Sequence, residues 1–442
     1  MQYWTERQDR PNAGEPQITS RPGFRPRTEA VFSDPRSHIH FEDAKTFFSV
    51  RKHQYDIIVS EPSNPWVSGV SGLFSQEFYQ LLTNYLQTDG IMVQWLHGYE
   101  FTMELFASIV NAISPHFEDY VIFATNAADI VLVAKKQGAL GSLDPRLFTH
   151  TKLVEELAKA EVKGIQDLEV RRIGNRNTLD PFFQTYQVPA NSDYFPYVDL
   201  YAAEARFLRH KATLLSSLGS APLPLLEIID GHNSWLGKTV TPSFDLARVN
   251  SAAAAPLLRD TILGTATERP GKLSSNEQAM AHLLVLPLQC NTPSNASLWL
   301  DALLTVSEKL IPYLPPQELQ LIWEKVESSP CVSHLPEEYQ QWLTLMKAIG
   351  NRDSQAMVAV AHTLLAKPQV QENKERHRFL LATQLLGLLA QGKQRDAQSV
   401  WEEHEQAFLN DDSYLRLLVA HATYQPKPTE DEVYPNRQTS AP

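Results

Sequence analysis

Residues 55–82 read YDIIVSEPSNPWVSGVSGLFSQEFYQLL, and the way this stretch folds decides what surrounds it. Tyr55 to Ser60 is a nearly continuous run rich in β-branched residues, ending on an acid and a proline, as expected of a strand buried on both faces of a parallel sheet. Ser75 stands where a helix cap is wanted and Glu77 falls in the first turn. Phe78, Tyr79, Leu82, Tyr85 and Leu86 recur at helical spacing as an apolar stripe. Asp89-Gly90 is expected to stop that helix.

Outward in both directions the alternation continues. Upstream, HIHF (38–41) predicts a strand and EDAKTFFSV (42–50) a turn into a helix. Downstream, IMVQWL (91–96) predicts a strand, followed by a helix burying Leu105, Phe106, Ile109, Val110 and Ile113. YVIFAT (120–125) and DIVLVAKK (129–136) flank a short turn at Asn126 to Ala128 and predict an antiparallel hairpin closing one edge of the sheet. Strand, helix, strand, helix, hairpin is how SAM-type Rossmann sheets end. The expected fold class is therefore α/β, a partial SAM-methyltransferase-like Rossmann sheet, followed by an all-α helical repeat-like region.

The first 30 residues hold four prolines and two glycines with no apolar period, and predict a disordered leader. Residues 31–209 are expected to form the later half of the Rossmann domain. The signal weakens beyond Gly138, although NSDYFPYVDL (191–200) reads as an ordered stretch returning to the sheet. From about His210 to residue 424 the texture is helical. Two segments, 342–365 and 379–408, each hold a helix, a break at Gly350 or Gly392 and a second helix, resembling tetratricopeptide-type hairpins at a longer spacing than the standard ~34 residues. Residues 425–442 predict a polar, disordered tail.

Composition narrows the function classes. The balance of 43% hydrophobic and 20% charged residues in 442 suits a soluble globular protein of two or three domains. No apolar run approaches the ~18 residues of a membrane span and no signal-peptide core is present, so a cytoplasmic protein is expected. A net charge of -12 without a basic stripe argues against nucleic acid and is compatible with a cationic substrate. Cys290 and Cys331 lie far apart and away from histidines at ligand spacing, so buried or idle thiols are expected and no metal site. His38 and His40 share a strand face without a third ligand. There is no G-x-S-x-G elbow and no P-loop.

In open parallel sheets ligands sit beyond the carboxyl ends of strands, which gives priority to acids there. Glu42 and Asp43 follow the first strand, where a carboxylate suits an exocyclic amine such as that of adenine; alternatively Asp43 caps the helix from Ala44. Glu61 closes YDIIVS and opens a long loop, in which Gly69 and Gly72 permit bending and Trp66 is either an apolar wall or core packing.

The string from Tyr55 to Leu82, the acid-Ala pair in EDAKTFF and the run DGIMVQWL (89–96), in that order, resemble the central block of the spermidine synthase family, especially its bacterial relatives fused to membrane spans. The resemblance implies that Asp43 holds the adenine of the nucleoside substrate, that Glu61 stands for the catalytic aspartate and that Asn64 stands for a second amine-binding aspartate. It places Tyr79 and Gln94 at pocket-side positions, with Trp66 as an aromatic wall. The family's D-S-S-D type loop reads E-P-S-N here, so one carboxylate is longer and the other has lost its charge. The chain contains no G-x-G anywhere, so the glycine turn that receives the nucleoside is missing and a truncated or shared site is expected.

The implied activity is aminopropyl transfer from decarboxylated SAM to a polyamine such as putrescine, impaired by the missing half. Neither decarboxylated SAM nor SAM is expected to bind tightly, and each would serve as co-substrate. Two alternatives stay open: a non-catalytic protein whose helices bind a protein partner, and a SAM-dependent methyltransferase, since one fold hosts many chemistries.

Overall fold

The computed structural model describes residues 2–4, 34–40, 42–50, 53–62, 65–67, 69–212, 214–232, 240–265, 272–285, 293–329, 332–409, 411 and 413–424. Cys290, Cys331, Asn64, the tail and most of the expected leader lie outside them. Within that leader, β1 (Gln2–Trp4) is a strand, paired in parallel with β2 (His38–His40).

Five further strands make one mixed sheet: β3 (Tyr55–Ser60), β4 (Leu86–His97), β5 (Asp119–Ala124), β6 (Asp129–Lys135) and β7 (Arg172–Asn175). Their order is β3-β4-β6-β5-β7; β3 and β4 run parallel and every other pairing is antiparallel. The β5–β6 hairpin is the expected one. Asn126 builds its turn, its Oδ1 accepting from the N–H groups of Ala128 and Asp129, both at 2.7 Å.

The helices between strands follow local sequence. Ser75 caps Gln76–Tyr85, its Oγ accepting from Phe78 N at 3.3 Å. Thr102 does the same for Met103–Ile113, which buries all five apolar residues expected of it. Asp89-Gly90 does not end the first of these helices: the chain leaves it at Tyr85 and enters β4 at once. Gly90 lies inside a register irregularity of that strand, where a Cβ would sit 2.9 Å from the Gln87 carbonyl oxygen.

One expectation fails at β3. Only Ile58 of its apolar residues is buried, at 8% exposure, while Ile57 and Val59 are 57% and 55% exposed. Alternate residues share a sheet face, and the register carries the face of Ile57 and Val59 across to Ile91, Val93 and Trp95 of β4 and Val131 and Val133 of β6, all only partly buried. The opposite face of β4 and β6 is closed, with Met92, Leu96, Ile130 and Leu132 in the core.

Beyond Asn175 the described chain is helical apart from an isolated bridge of Lys211 to Tyr99. Helix pairs Glu337–Gly350 with Ser354–Leu365, and Lys374–Ala390 with Gln394–His404, pack consecutively. The last helix, Leu415–Thr423, returns to pack on Arg176–Gln184. No helix among the described residues is long and apolar enough to cross a membrane.

Candidate functional site

The carboxyl ends of β3 and β4 meet the loop from Glu61 to Ser75. Gly69 supplies a left-handed turn (φ 89°) that starts the 3-10 helix Val70–Phe74. The stretch from Asn191 returns to this loop as expected. Asn191 donates to Ser71 O at 3.0 Å and accepts from Val198 N at 3.0 Å, and Asp193 holds Lys45 at 2.6 Å and Glu77 through its own N–H at 2.8 Å. The loop is thereby fixed to the helix Ala44–Val50 on one side and to Tyr197–Phe207 on the other.

Glu61 follows β3 directly and is exposed. Beneath it lies a closed polar strut: Tyr79 Oη donates to Gln94 Oε1 at 3.1 Å, and Gln94 Nε2 donates to the carbonyls of Ser60 at 3.2 Å and Trp95 at 2.9 Å. Both residues are fully buried, and burial raises the Tyr79 phenol well above its ordinary pKa. Tyr79 and Gln94 are thus brought together where they set the strand end carrying Glu61. Their polar atoms are spent on each other and on backbone.

Asp43 is exposed and caps its helix, Oδ1 accepting from Thr46 N at 2.9 Å and Thr46 Oγ1 at 3.1 Å. Oδ2 makes no hydrogen bond among the described residues, which leaves one acceptor for an adenine amine. Capping and nucleoside binding are therefore compatible at this residue. For the ribose and the amino-bearing tail of such a nucleoside the chain offers no G-x-G turn.

Trp66 is half-buried and stands edge-on to His97, with ring centroids 5.5 Å apart. The guanidinium of Arg206 lies 4.5 Å over the Trp66 ring and pairs with Glu100 at 3.6 Å. His97 is 4% exposed and is packed by Trp95, Tyr99 and Phe101 as well, at 5.3, 4.7 and 5.3 Å. Burial holds its imidazole below the usual histidine pKa, against the upward pull of Asp129 and Glu100. Asp129 is the residue paired with His97 across β4 and β6.

Composition, periodicity and motif single out none of His97, Glu100, Asp129 and Arg206. The run QWLHGYE (94–100), with aromatics alternating around a histidine at a strand's carboxyl end, was the available signal for the first two. Nothing local announces Arg206, which arrives from a helix more than a hundred residues away. Among the described residues no group of three or more His, Cys, Asp or Glu is placed to hold a metal ion. A cavity of about 680 Å³ between the helices Met103–Ile113 and Leu415–Thr423 includes none of the six residues picked from the sequence.

Residues 19–129 match the family model described as the spermine/spermidine synthase domain. Over 70 residues the chain is 37% identical to the polyamine aminopropyltransferase of Alkaliphilus oremlandii, covering 16% of this chain and 24% of that protein. It is 36% identical over 76 residues to the polyamine aminopropyltransferase of Lachnospira eligens, 17% of this chain and 26% of that one. With polyamine aminopropyltransferase 2 of Aquifex aeolicus it shares 32% over 85 residues, 19% and 17% of the two chains. The chain thus spans about a quarter of the length of the first of these relatives. The matched segment begins inside the stretch expected to be a leader.

Proposed function

We propose that this chain carries the acceptor side of a spermidine synthase-type site, orienting a polyamine amine for aminopropyl transfer from decarboxylated SAM. The observation that supports it most is the placement of Glu61: an exposed carboxylate at the carboxyl end of a parallel strand, set by the Tyr79–Gln94 strut and opening a glycine-bent loop with an aromatic wall. In the reaction the acceptor nitrogen forms a bond to the carbon beside the sulfonium. The C–S bond breaks with its electron pair going to sulfur, releasing methylthioadenosine, and the new secondary amine gives up a proton. Glu61 binds and aims the amine. Its contribution is orientation of the attacking nitrogen. Asn64 occupies the place of a second, charged partner in the family's loop, and Asn64→Asp is expected to tighten polyamine binding.

The test is product analysis by mass spectrometry, with putrescine and saturating decarboxylated SAM. Spermidine and methylthioadenosine should form in equal amounts, and Glu61→Gln should remove most of the turnover with little change in nucleoside affinity. Methylated acceptor formed from SAM instead would select methyl transfer. A second reading is favoured by one observation: Ile57 and Val59 leave an apolar sheet face open, as in a chain whose sheet serves association rather than catalysis. On that reading neither product forms.

A further inference from the structure

We propose that His97 and Asp129 form a primary-amine subsite at the mouth of the open sheet face. The inference rests on the acceptor reading above and adds to the exposed Glu61 a second point of amine recognition, a recessed pair beside it.

Three placements carry it. The alternation and register put Ile57 and Val59 of β3, Ile91, Val93, Trp95 and His97 of β4, and Val133, Val131 and Asp129 of β6 on one face. That face is apolar through its middle, with Lys135 beside Ile91 at one end; at the carboxyl-terminal end of β4 His97 and Asp129 stand opposite each other and Glu61 continues β3. Second, both members of the pair hold a buried atom without a hydrogen-bond partner among the described residues, Nε2 of His97 and Oδ1 of Asp129. Buried polar atoms are almost always satisfied, and two exceptions on one cross-strand pair call for a common cause. Asp129 Oδ2 is already engaged by Asn126 Nδ2 at 2.6 Å, so Oδ1 is the oxygen left to a ligand. Third, the surroundings fit an amine: Trp66 and Tyr99 pack on the imidazole.

The chemistry selects the ligand class. With Nε2 as the unprotonated nitrogen of a neutral imidazole, it and the Asp129 oxygen are both acceptors, and a group carrying two N–H or O–H donors satisfies both. A primary amine does so, and aromatic rings add attraction if it is charged. Arg206, on the face of Trp66 and paired with Glu100, places a fixed cation beside the subsite. A carboxylate or phosphate ligand would face Asp129 and is excluded by like charge.

The experiment is solution NMR of the full chain with isotope-labelled histidine, assigning the His97 ring by its loss in His97→Phe, during titration with putrescine and separately with butylamine. Saturable movement of the His97 ring resonances is expected. Asp129→Asn, which keeps the Asn126 turn contact but not the carboxylate, should weaken binding about tenfold or more, the effect of losing one charge-assisted hydrogen bond. Movement with butylamine but not with putrescine would keep the subsite and remove the polyamine reading. Putrescine bound equally by wild type, His97→Phe and Asp129→Asn would remove the subsite and leave the polyamine reading. A His97 ring that neither amine perturbs overturns the subsite, a bridging water then being the partner of both atoms.

Discussion

Asp43 shows how one side chain meets two demands that sequence alone left as alternatives. Its Oδ1 caps the helix through Thr46 while Oδ2 has no hydrogen bond among the described residues, so the two roles separate by substitution. Asp43→Ser keeps a capping oxygen and removes the carboxylate; Asp43→Ala removes both. The alanine variant should lose about 1 kcal/mol in urea unfolding and the serine variant only a fraction of that. Methylthioadenosine affinity, measured by calorimetry, should fall in both. Unchanged affinity in both variants would leave Asp43 as a cap alone. At this scale the sequence was legible where a residue's neighbours in the chain fix its role: Ser75 and Thr102 cap as their spacing suggests, and Glu61 ends its strand. It was illegible where the partner is distant. The Tyr79–Gln94 bond spans a helix and a strand, and the stacking of Arg206 on Trp66 joins residues 140 positions apart, which no local pattern encodes.

At the scale of elements, β3 departs most from its sequence. A run of β-branched residues prescribes burial on both faces, but periodicity does not say what does the covering, and Ile57 and Val59 are left more than half exposed. The consequence is an asymmetry along three consecutive residues. Ile58→Ala removes core packing and should cost about 2–4 kcal/mol, whereas Val59→Ala, at an exposed position, should stay within about 1 kcal/mol. Equal large losses in denaturant unfolding would mean that the outer face is covered in solution. Histidines at element contacts give a second consequence. His377 and His404 hydrogen-bond each other at 3.0 Å across two helices, and His421 donates to Thr178 O at 2.9 Å. Burial lowers the pKa of all three, and of His97 and His116. Their native values lie below the ordinary ~6.5, so as pH falls the unfolded chain binds protons first and stability declines. The melting temperature should therefore drop from pH 7.5 to pH 5.5. A flat or rising melting temperature over this window would contradict the assignment of burial as the dominant influence.

For the whole molecule, the helical part does not simply trail the sheet. Arg416 donates to Thr185 Oγ1 at 3.0 Å and stacks 3.8 Å over the Tyr186 ring, and Arg352 binds Glu227, so the last helices fold back against the sheet's own helices. The sequence suggests a switch from alternating short runs to helical periodicity near His210, whereas the described chain is helical from Arg176 on apart from one bridge; the return of the final helix leaves no trace in the sequence, because helix-on-helix docking gives no periodic sign of which partner is chosen. The division of labour proposed across the molecule is the central claim: an acceptor side built around Glu61 and the β3–β4 ends, with Asp43 as the edge offered to the nucleoside among the described residues. Paired calorimetric titrations of the purified chain with putrescine and with methylthioadenosine test it most directly. Saturable putrescine binding that is lost in Glu61→Gln, together with at least tenfold weaker binding of methylthioadenosine, is the predicted result. Tight nucleoside binding with no detectable putrescine binding would contradict it.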